Sequence, residues 1–251
     1  MTEIEILKTS SGTQIYHQGP PLTAGPLPTV IYFALSGEES LTLEPINQPA
    51  TFLLDEPIRV ISFSIPLHGP GLKNTEAMQR WSDAISNGEN IFTPFLEECR
   101  KGIDHLIDRK ISNPEKIAIA GISRGAFVGT HLAALDERIK IILGYAPLTR
   151  LSDLNEFFPV KDHPIMQELP LIRLCDRLID KKIRFYMGNR DVRVNTGSCV
   201  EFVRELTEKQ FLAGRRSPQV ELILFPSIGH KGHGTPAEIF RDGVEWLKKN
   251  L

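Results

Sequence analysis

The stretch Lys116–Gly129, KIAIAGISRGAFVG, begins as an apolar, β-branched run and ends in a helical pattern. A serine stands between two glycines where one period gives way to the other. Gly121, Ser123 and Gly125 spell GxSxG. Composition alone produces that pattern in about one in ten chains of this length, so its neighbours decide its meaning. KIAIA before it reads as a strand and GAFVGTHLAAL after it as a helix. A serine hydroxyl can be presented from a sharp turn in that strand-turn-helix setting. Glycines two positions to either side suit such a turn, because a Cβ there would keep strand and helix apart. The plainer reading, a βα turn made of small residues, stands unless a base and an orienting acid follow.

Both follow. The run KIRFYMG (182–188) leads into NRDVRV, which sets Asp191 just beyond a later strand. The last apolar run, VELILFP (220–226), leads into SIGHKGHG, a loop with two histidines. A neutral hydroxyl is a weak nucleophile, so a histidine must take its proton and a carboxylate must orient the imidazole. The expected set is Ser123, Asp191 and His230. His230 is preferred because it lies nearer the strand end and follows the flexible Gly229; His233, next to the Thr235 helix start, is the alternative. Asp191 could also serve only as a turn former. The HxxH pair could share a metal, but no Cys or His cluster supplies a third ligand, so no metal is expected.

Working outward, the runs TVIYFAL, IRVISFSI, IKIILGY, KIRFYMG and VELILF are continuously apolar rather than alternating, as in strands covered on both faces. Helical patterns lie between them. Phe95, Leu96, Cys99, Ile103, Leu106 and Ile107 form one stripe, with Pro94 in an early turn. Ser198 with Glu201, and Thr235 with Glu238, predict capping boxes. The fold class is therefore α/β, a mostly parallel eight-stranded sheet with helices on both faces. IEILKT and TQIYHQ are expected as an antiparallel pair at one edge. A Pro-rich stretch, QGPPLTAGPLP, and the segment 149–170 break the rhythm. The second reads as a small lid inserted over the carboxyl edge of the sheet, where ligands bind in open α/β folds. One domain, 1–251, suits this length.

The sequence carries 29 basic and 31 acidic residues for a net charge of -2, and 41% of it is hydrophobic. Interspersed charges leave no footprint for nucleic acid or an anionic membrane. A small-molecule ester or short peptide is the expected partner. Three cysteines, Cys99, Cys175 and Cys199, fit buried thiols of a reducing compartment. The N-terminus MTEIEILKTS lacks an apolar leader core and no run approaches membrane-span length, so a cytoplasmic protein is expected.

Taken together, GISRG, GNRDVRV and FPSIGHKG resemble the α/β-hydrolase superfamily, from about Ile4 to Trp246. The turn DVRV and the absence of a large cap are similar to its prolyl-oligopeptidase and dienelactone-hydrolase branches. The resemblance implies a serine hydrolase that works through an acyl-enzyme without a cofactor. It also implies an oxyanion hole made by the backbone N–H of Arg124 and a second N–H from the loop after the third strand, Leu35 or Ser36. The His-Gly pair frequent in that loop is here Ala34-Leu35-Ser36-Gly37. His68 in IPLHGPG lines the pocket or is a polar loop residue. The Arg124 side chain is expected to pair with a structural carboxylate, the alternative being an anionic group of the substrate. A small carboxylic ester is the expected substrate, since the chain has no room for an accessory propeller. A peptidase of the oligopeptidase type and a non-catalytic binding module are the alternatives. AGISRGA has neither GxGxxG nor a P-loop lysine, which disfavours nucleotide binding. A histidine base must be neutral to act, so activity is expected to rise between roughly pH 6 and 8.

Overall fold

The computed structural model describes residues 4–251, so the first three residues lie outside it. Among the described residues eight strands pair into one sheet: β1 (Glu5–Lys8), β2 (Gln14–Gln18), β3 (Leu27–Phe33), β4 (Arg59–Ser62), β5 (Ser112–Ile122), β6 (Ile139–Tyr145), β7 (Lys182–Gly188) and β8 (Val220–Phe225). Their order is β1-β2-β4-β3-β5-β6-β7-β8. β1 and β2 are antiparallel to each other, β2 is antiparallel to β4, and β4 through β8 are parallel. The two N-terminal strands thus occupy the edge expected of them.

Among the described residues eight α-helices flank the sheet: α1 (Gly37–Thr42), α2 (Gln48–Thr51), α3 (Ala77–Ser86), α4 (Phe92–Asp108), α5 (Arg124–Leu135), α6 (Pro164–Glu168), α7 (Thr196–Leu212) and α8 (Ala237–Asn250). The continuous apolar strands are explained by two cores. Along β3, Ile31 and Phe33 point to one face while Val30 and Tyr32 point to the other; along β5, Ile117 and Ile119 oppose Ala118 and Ala120. The first face packs residues of α3, α4, α5 and α7, the second those of α1, α2 and α8. Alternation is invisible in the central strands because both of their sides are dry, whereas edge strand β8 keeps its apolar run with Ile223 and Leu224 exposed.

The Pro-rich stretch is anchored by a charge. Arg59, fully buried at the start of β4, donates from Nη1 to the carbonyl of Pro21 at 2.8 Å, from Nη2 to that of Gly25 at 2.9 Å, and from Nε to that of Ile111 at 2.9 Å. Carbonyls that a proline-rich chain cannot satisfy by regular pairing find a five-donor partner instead.

Both predicted capping boxes are replaced. α7 starts two residues before Ser198, where the Asn195 side chain accepts from Gly197 N and Ser198 N at 2.9 and 3.4 Å. α8 begins after Pro236, which has no side-chain cap, and Thr235 Oγ1 is buried without a partner. Asparagine tolerates the positive φ of 65° that the sharp entry to α7 requires.

The segment 149–170 turns through short 3-10 stretches, Leu151–Asp153 and Asn155–Val160, into α6. Leu151, Leu154, Phe157, Met166 and Leu169 bury into the core on the α3–α7 side. His131 of α5 fixes its far end by donating from Nε2 to the Leu169 carbonyl at 2.9 Å. Burial, with a smaller contribution from Arg177, pushes the His131 pKa down to about 4, only partly offset by the Leu169 bond. Below pH 6.5 the unfolded chain therefore binds a proton that the folded chain refuses. This part of the stability is intact near neutrality and is lost as pH falls from about 6.5 toward 4. Urea unfolding at pH 7.0 and 4.5 should show His131→Gln losing roughly 2 kcal/mol less stability than the wild type over that interval. Equal losses would contradict a neutral, buried His131.

Candidate active site

The turn after β5 is as strained as its sequence suggests. Ser123 has φ 53° and ψ -117°, a conformation that L-residues rarely adopt. Its N–H donates to the Tyr145 carbonyl at the end of β6 at 2.8 Å, and its carbonyl accepts from Phe127 and Leu148 at 3.2 Å each. A Cβ on Gly121 would meet Ala126 N at 2.6 Å, and one on Gly125 would collide with the Phe33 carbonyl. The two glycines let α5 sit against β5 and β3, and the serine is thrust out beyond the sheet.

Its hydroxyl meets His233, not His230. Ser123 Oγ lies 2.9 Å from His233 Nε2, and His233 Nδ1 lies 2.6 Å from Asp191 Oδ2. With Nδ1–H donating to the carboxylate, Nε2 carries the lone pair that accepts from the serine. The expectation for His230 fails for a backbone reason. Residues 230–232 form a single 3-10 turn, closed by the Gly232 N to Gly229 O and His233 N to His230 O bonds. A bridge between Ile228 and Gly234 then folds the loop back on itself. That reversal leaves His230 exposed and swings His233 toward Ser123. Gly232, at φ 76° and pressed on the Arg190 carbonyl, is the hinge that no other residue fits.

Asp191 is 2% exposed and fully engaged. Its Oδ1 accepts from the N–H groups of Arg193 and Val194 at 2.9 and 3.1 Å, and its own N–H donates to Thr196 Oγ1 at 2.9 Å. Burial alone would raise its pKa, but the hydrogen bond and charge of His233 and those two backbone donors together bring it below the ordinary value. The carboxylate stays ionised and faces the imidazole.

The expected second oxyanion donor is corrected. The N–H groups of Ala34 and Leu35 both donate to Ser40 Oγ, at 3.1 and 3.0 Å, and Ser40 Oγ donates to the Ser36 carbonyl at 2.7 Å. Ser36 N faces Glu39 Oε2 at 3.4 Å in a capping box that opens α1. Neither Leu35 nor Ser36 offers a free amide in this geometry. The Arg124 amide, in the first turn of α5, has no intrahelical partner by the geometry of a helix start. Ser40 carries no sequence signal of its own, although S36-x-x-E39 beside it is a readable capping signal.

The Arg124 side chain pairs with no carboxylate among the described residues. Its Nη1 donates to His68 Nε2 at 3.0 Å and to the Asn74 carbonyl at 3.1 Å. His68 is accordingly neither a pocket wall nor a solvated loop residue. It is buried, donates from Nδ1 to the Pro66 carbonyl at 2.9 Å, and stands edge-on to Trp81. Burial first, then the Arg124 charge, push its pKa down to about 4, with the Pro66 bond opposing.

Beside Ser123 opens a cavity of about 280 Å³, walled by Leu35, Pro45, Ile46, Ile122 and Phe240 and reaching His233. A wider groove of about 740 Å³ along α7 is lined by Val200, Arg204, Thr207 and Glu208, and Ser123 is not among its lining residues. Among the described residues no group of three or more His, Cys, Asp or Glu side chains is placed to hold a metal, and no helix is long and apolar enough to cross a membrane.

No family model matches the chain. It is similar to an acylamino-acid-releasing enzyme of Arabidopsis thaliana, 24% identical over 177 residues that make up 61% of this chain and 22% of that protein. A rice counterpart, acylamino-acid-releasing enzyme 2, is 22% identical over 183 residues, again 22% of its length. The chain thus spans about a fifth of the curated relatives it matches. Among solved structures, a Thermus thermophilus protein superposes with a TM-score of 0.74 at 18% identity, covering 99% of this chain and 98% of that one. A Pyrococcus furiosus esterase gives 0.64 at 18%, covering 99% and 92%. A Pyrococcus horikoshii acylaminoacyl peptidase gives 0.69 at 12%, covering 98% and 41%. The chain has the α/β-hydrolase fold, and the neighbours that share it include esterases and peptidases.

Ser40→Ala would orphan two buried N–H groups at once. It should lower unfolding stability by roughly 1–3 kcal/mol, measured by urea denaturation; a change below about 0.5 kcal/mol would show that Ser40 does not hold the loop.

Proposed function

We propose that this α/β-hydrolase-fold chain is a serine hydrolase that cleaves a small carboxylic ester through an acyl-enzyme. The observation that carries the reading is the unbroken relay from Ser123 Oγ to His233 Nε2 and from His233 Nδ1 to Asp191 Oδ2, at 2.9 and 2.6 Å.

The relay defines the steps. Ser123 Oγ attacks the ester carbonyl carbon while His233 Nε2 takes the hydroxyl proton, and the carbonyl electrons move onto oxygen. The resulting oxyanion lies at the N-terminal end of α5, where the Arg124 amide and the positive end of the helix dipole favour negative charge. Collapse re-forms the carbonyl and breaks the bond to the alcohol, which leaves with the proton from His233. Water then attacks the acyl-serine with His233 as base again, releasing the acid and restoring Ser123. Asp191 fixes the tautomer and stabilises the imidazolium throughout.

The cavity beside Ser123, about 280 Å³ and mostly apolar, supports a short acyl or alkoxy group rather than a long chain. Likeness to acylamino-acid-releasing enzymes favours a second reading, hydrolysis of a blocked amino-acid amide by the same relay. The two differ in leaving group only.

A fluorophosphonate probe should label the wild type and leave Ser123→Ala unlabelled. On p-nitrophenyl acetate or butyrate, His233→Ala should lose about 10³-fold or more in kcat, whereas His230→Ala should change it less than about threefold. A reversed order of the two histidine variants would return the base to residue 230. Parallel assays with acetyl-aminoacyl p-nitroanilides decide the substrate: turnover of anilides alone would replace the ester reading with the amide one.

A further inference from the structure

We propose that Arg124 is the carboxylate-recognition residue of this site, so that the substrate carries a carboxylate within a few bonds of the scissile carbonyl; this rests on the serine-hydrolase reading for its reaction but not for its binding. Arg124 follows the nucleophile directly, and its partly buried guanidinium has only neutral partners, His68 Nε2 and the Asn74 carbonyl, both bound through Nη1. The opposite edge, Nε and Nη2, makes no hydrogen bond to the described residues. That edge is the planar fork that grips a carboxylate through two parallel bonds.

The surroundings explain why no protein carboxylate fills it. Glu156, the acid nearest in charge, is held on both oxygens by Arg193, with Nη1 to Oε2 at 2.8 Å and Nη2 to Oε1 at 2.6 Å. Glu39 is taken by Ser36 and by Asn74 Nδ2, the latter at 2.7 Å. Burial and the nearby Arg193 charge lower the Arg124 pKa to about 10, with Glu156 only partly compensating; it remains a cation at neutral pH. A desolvated cation without a counter-ion is costly to keep, and a substrate carboxylate relieves that cost on binding. The guanidinium reaches toward His68 and Asn74, which do not line the apolar cavity. Arg124 itself, however, lines that cavity together with Leu35, Ile46 and Phe240, so apolar walls and a cationic residue bound the same space beside Ser123.

The test separates recognition from reaction. Ser123→Ala is titrated calorimetrically with 4-acetoxybenzoate, which carries its carboxylate on the leaving side, and with monobenzyl adipate, which carries it on the acyl side. Each is compared with its neutral methyl ester. At least one anion should bind about tenfold or more tighter than its ester, and Arg124→Met in the same background should bring the ratio near one, with Arg124→Lys intermediate. Equal binding in both pairs, or a preference that survives Arg124→Met, overturns the proposal. The first comparison needs no Arg124 variant, so a misfolded variant does not shelter it. With Ser123 intact, turnover of both members of a pair at equal kcat/KM overturns the carboxylate site and leaves the hydrolase reading standing. A preference in binding with no turnover of any ester does the reverse.

Discussion

A single backbone torsion organises the rest of the site. Ser123 sits at φ 53° and ψ -117°, a conformation that costs on the order of 1–3 kcal/mol and persists only where its surroundings over-determine it. Here β6 holds its N–H, while α5 and the chain after β6 hold its carbonyl. The same torsion starts α5 at Arg124, so a helix N-terminus and the Ser123 hydroxyl share one point in space. It also forces Gly125 against the Phe33 carbonyl, which brings the end of β3, and with it the loop of Ala34, Leu35 and Ser36, to the edge of the site. One turn therefore positions the hydroxyl, the dipole and the wall of the cavity together.

The loops that carry Asp191 and His233 are braced against each other rather than separately. Val192 N donates to the Lys231 carbonyl at 3.0 Å, tying the Asp191 turn to the loop of His233. Gly188 would place a Cβ 2.8 Å from Ser227 Oγ and 2.9 Å from the Gly232 carbonyl, so the ends of β7 and β8 interlock where both loops depart. Arg193 extends the brace: its backbone donates to Asp191 while its guanidinium holds Glu156 of the segment 149–170. An insertion distant in sequence thus bears on the orientation of the Asp191 carboxylate through one residue, which is why a short, well-packed segment matters to a site it does not chemically join.

Much of this was legible in the chain, and the exceptions share a cause. Strands buried on both faces announce themselves by composition, and a GxSxG turn announces itself by steric need, so the sheet, Ser123 and Asp191 could be read directly. Choosing between His230 and His233 could not be settled by distance along the chain, because a single 3-10 turn and the Ile228–Gly234 bridge reverse the loop. Three residues of sequence became opposite directions in space. Leu35 and Ser36 lie on the loop after β3, but amide direction there depends on Ser40, five and four residues later. Ser198 failed as a cap because Asn195 could take the positive φ that the turn demands. Local signals survive into the structure when the backbone is regular and lose their meaning where glycine or asparagine lets it reverse.

The neutrality of His68 is the last link between fold and site. Were it protonated, two cations would face each other across 3.0 Å, and Arg124 could not hold its position. Burial against Trp81 and the bond from Nδ1 to the Pro66 carbonyl instead keep Nε2 as an acceptor. Trp81 Nε1 donates to the same carbonyl at 2.7 Å, so α3 and the loop after β4 share one anchor that sets the imidazole. The guanidinium is thereby aimed without being neutralised, since an acceptor of no net charge fixes its direction and leaves its field intact. A carboxylate in the place of His68 would have given a stronger bond and a weaker site, because the charge of Arg124 would then have ended within the protein.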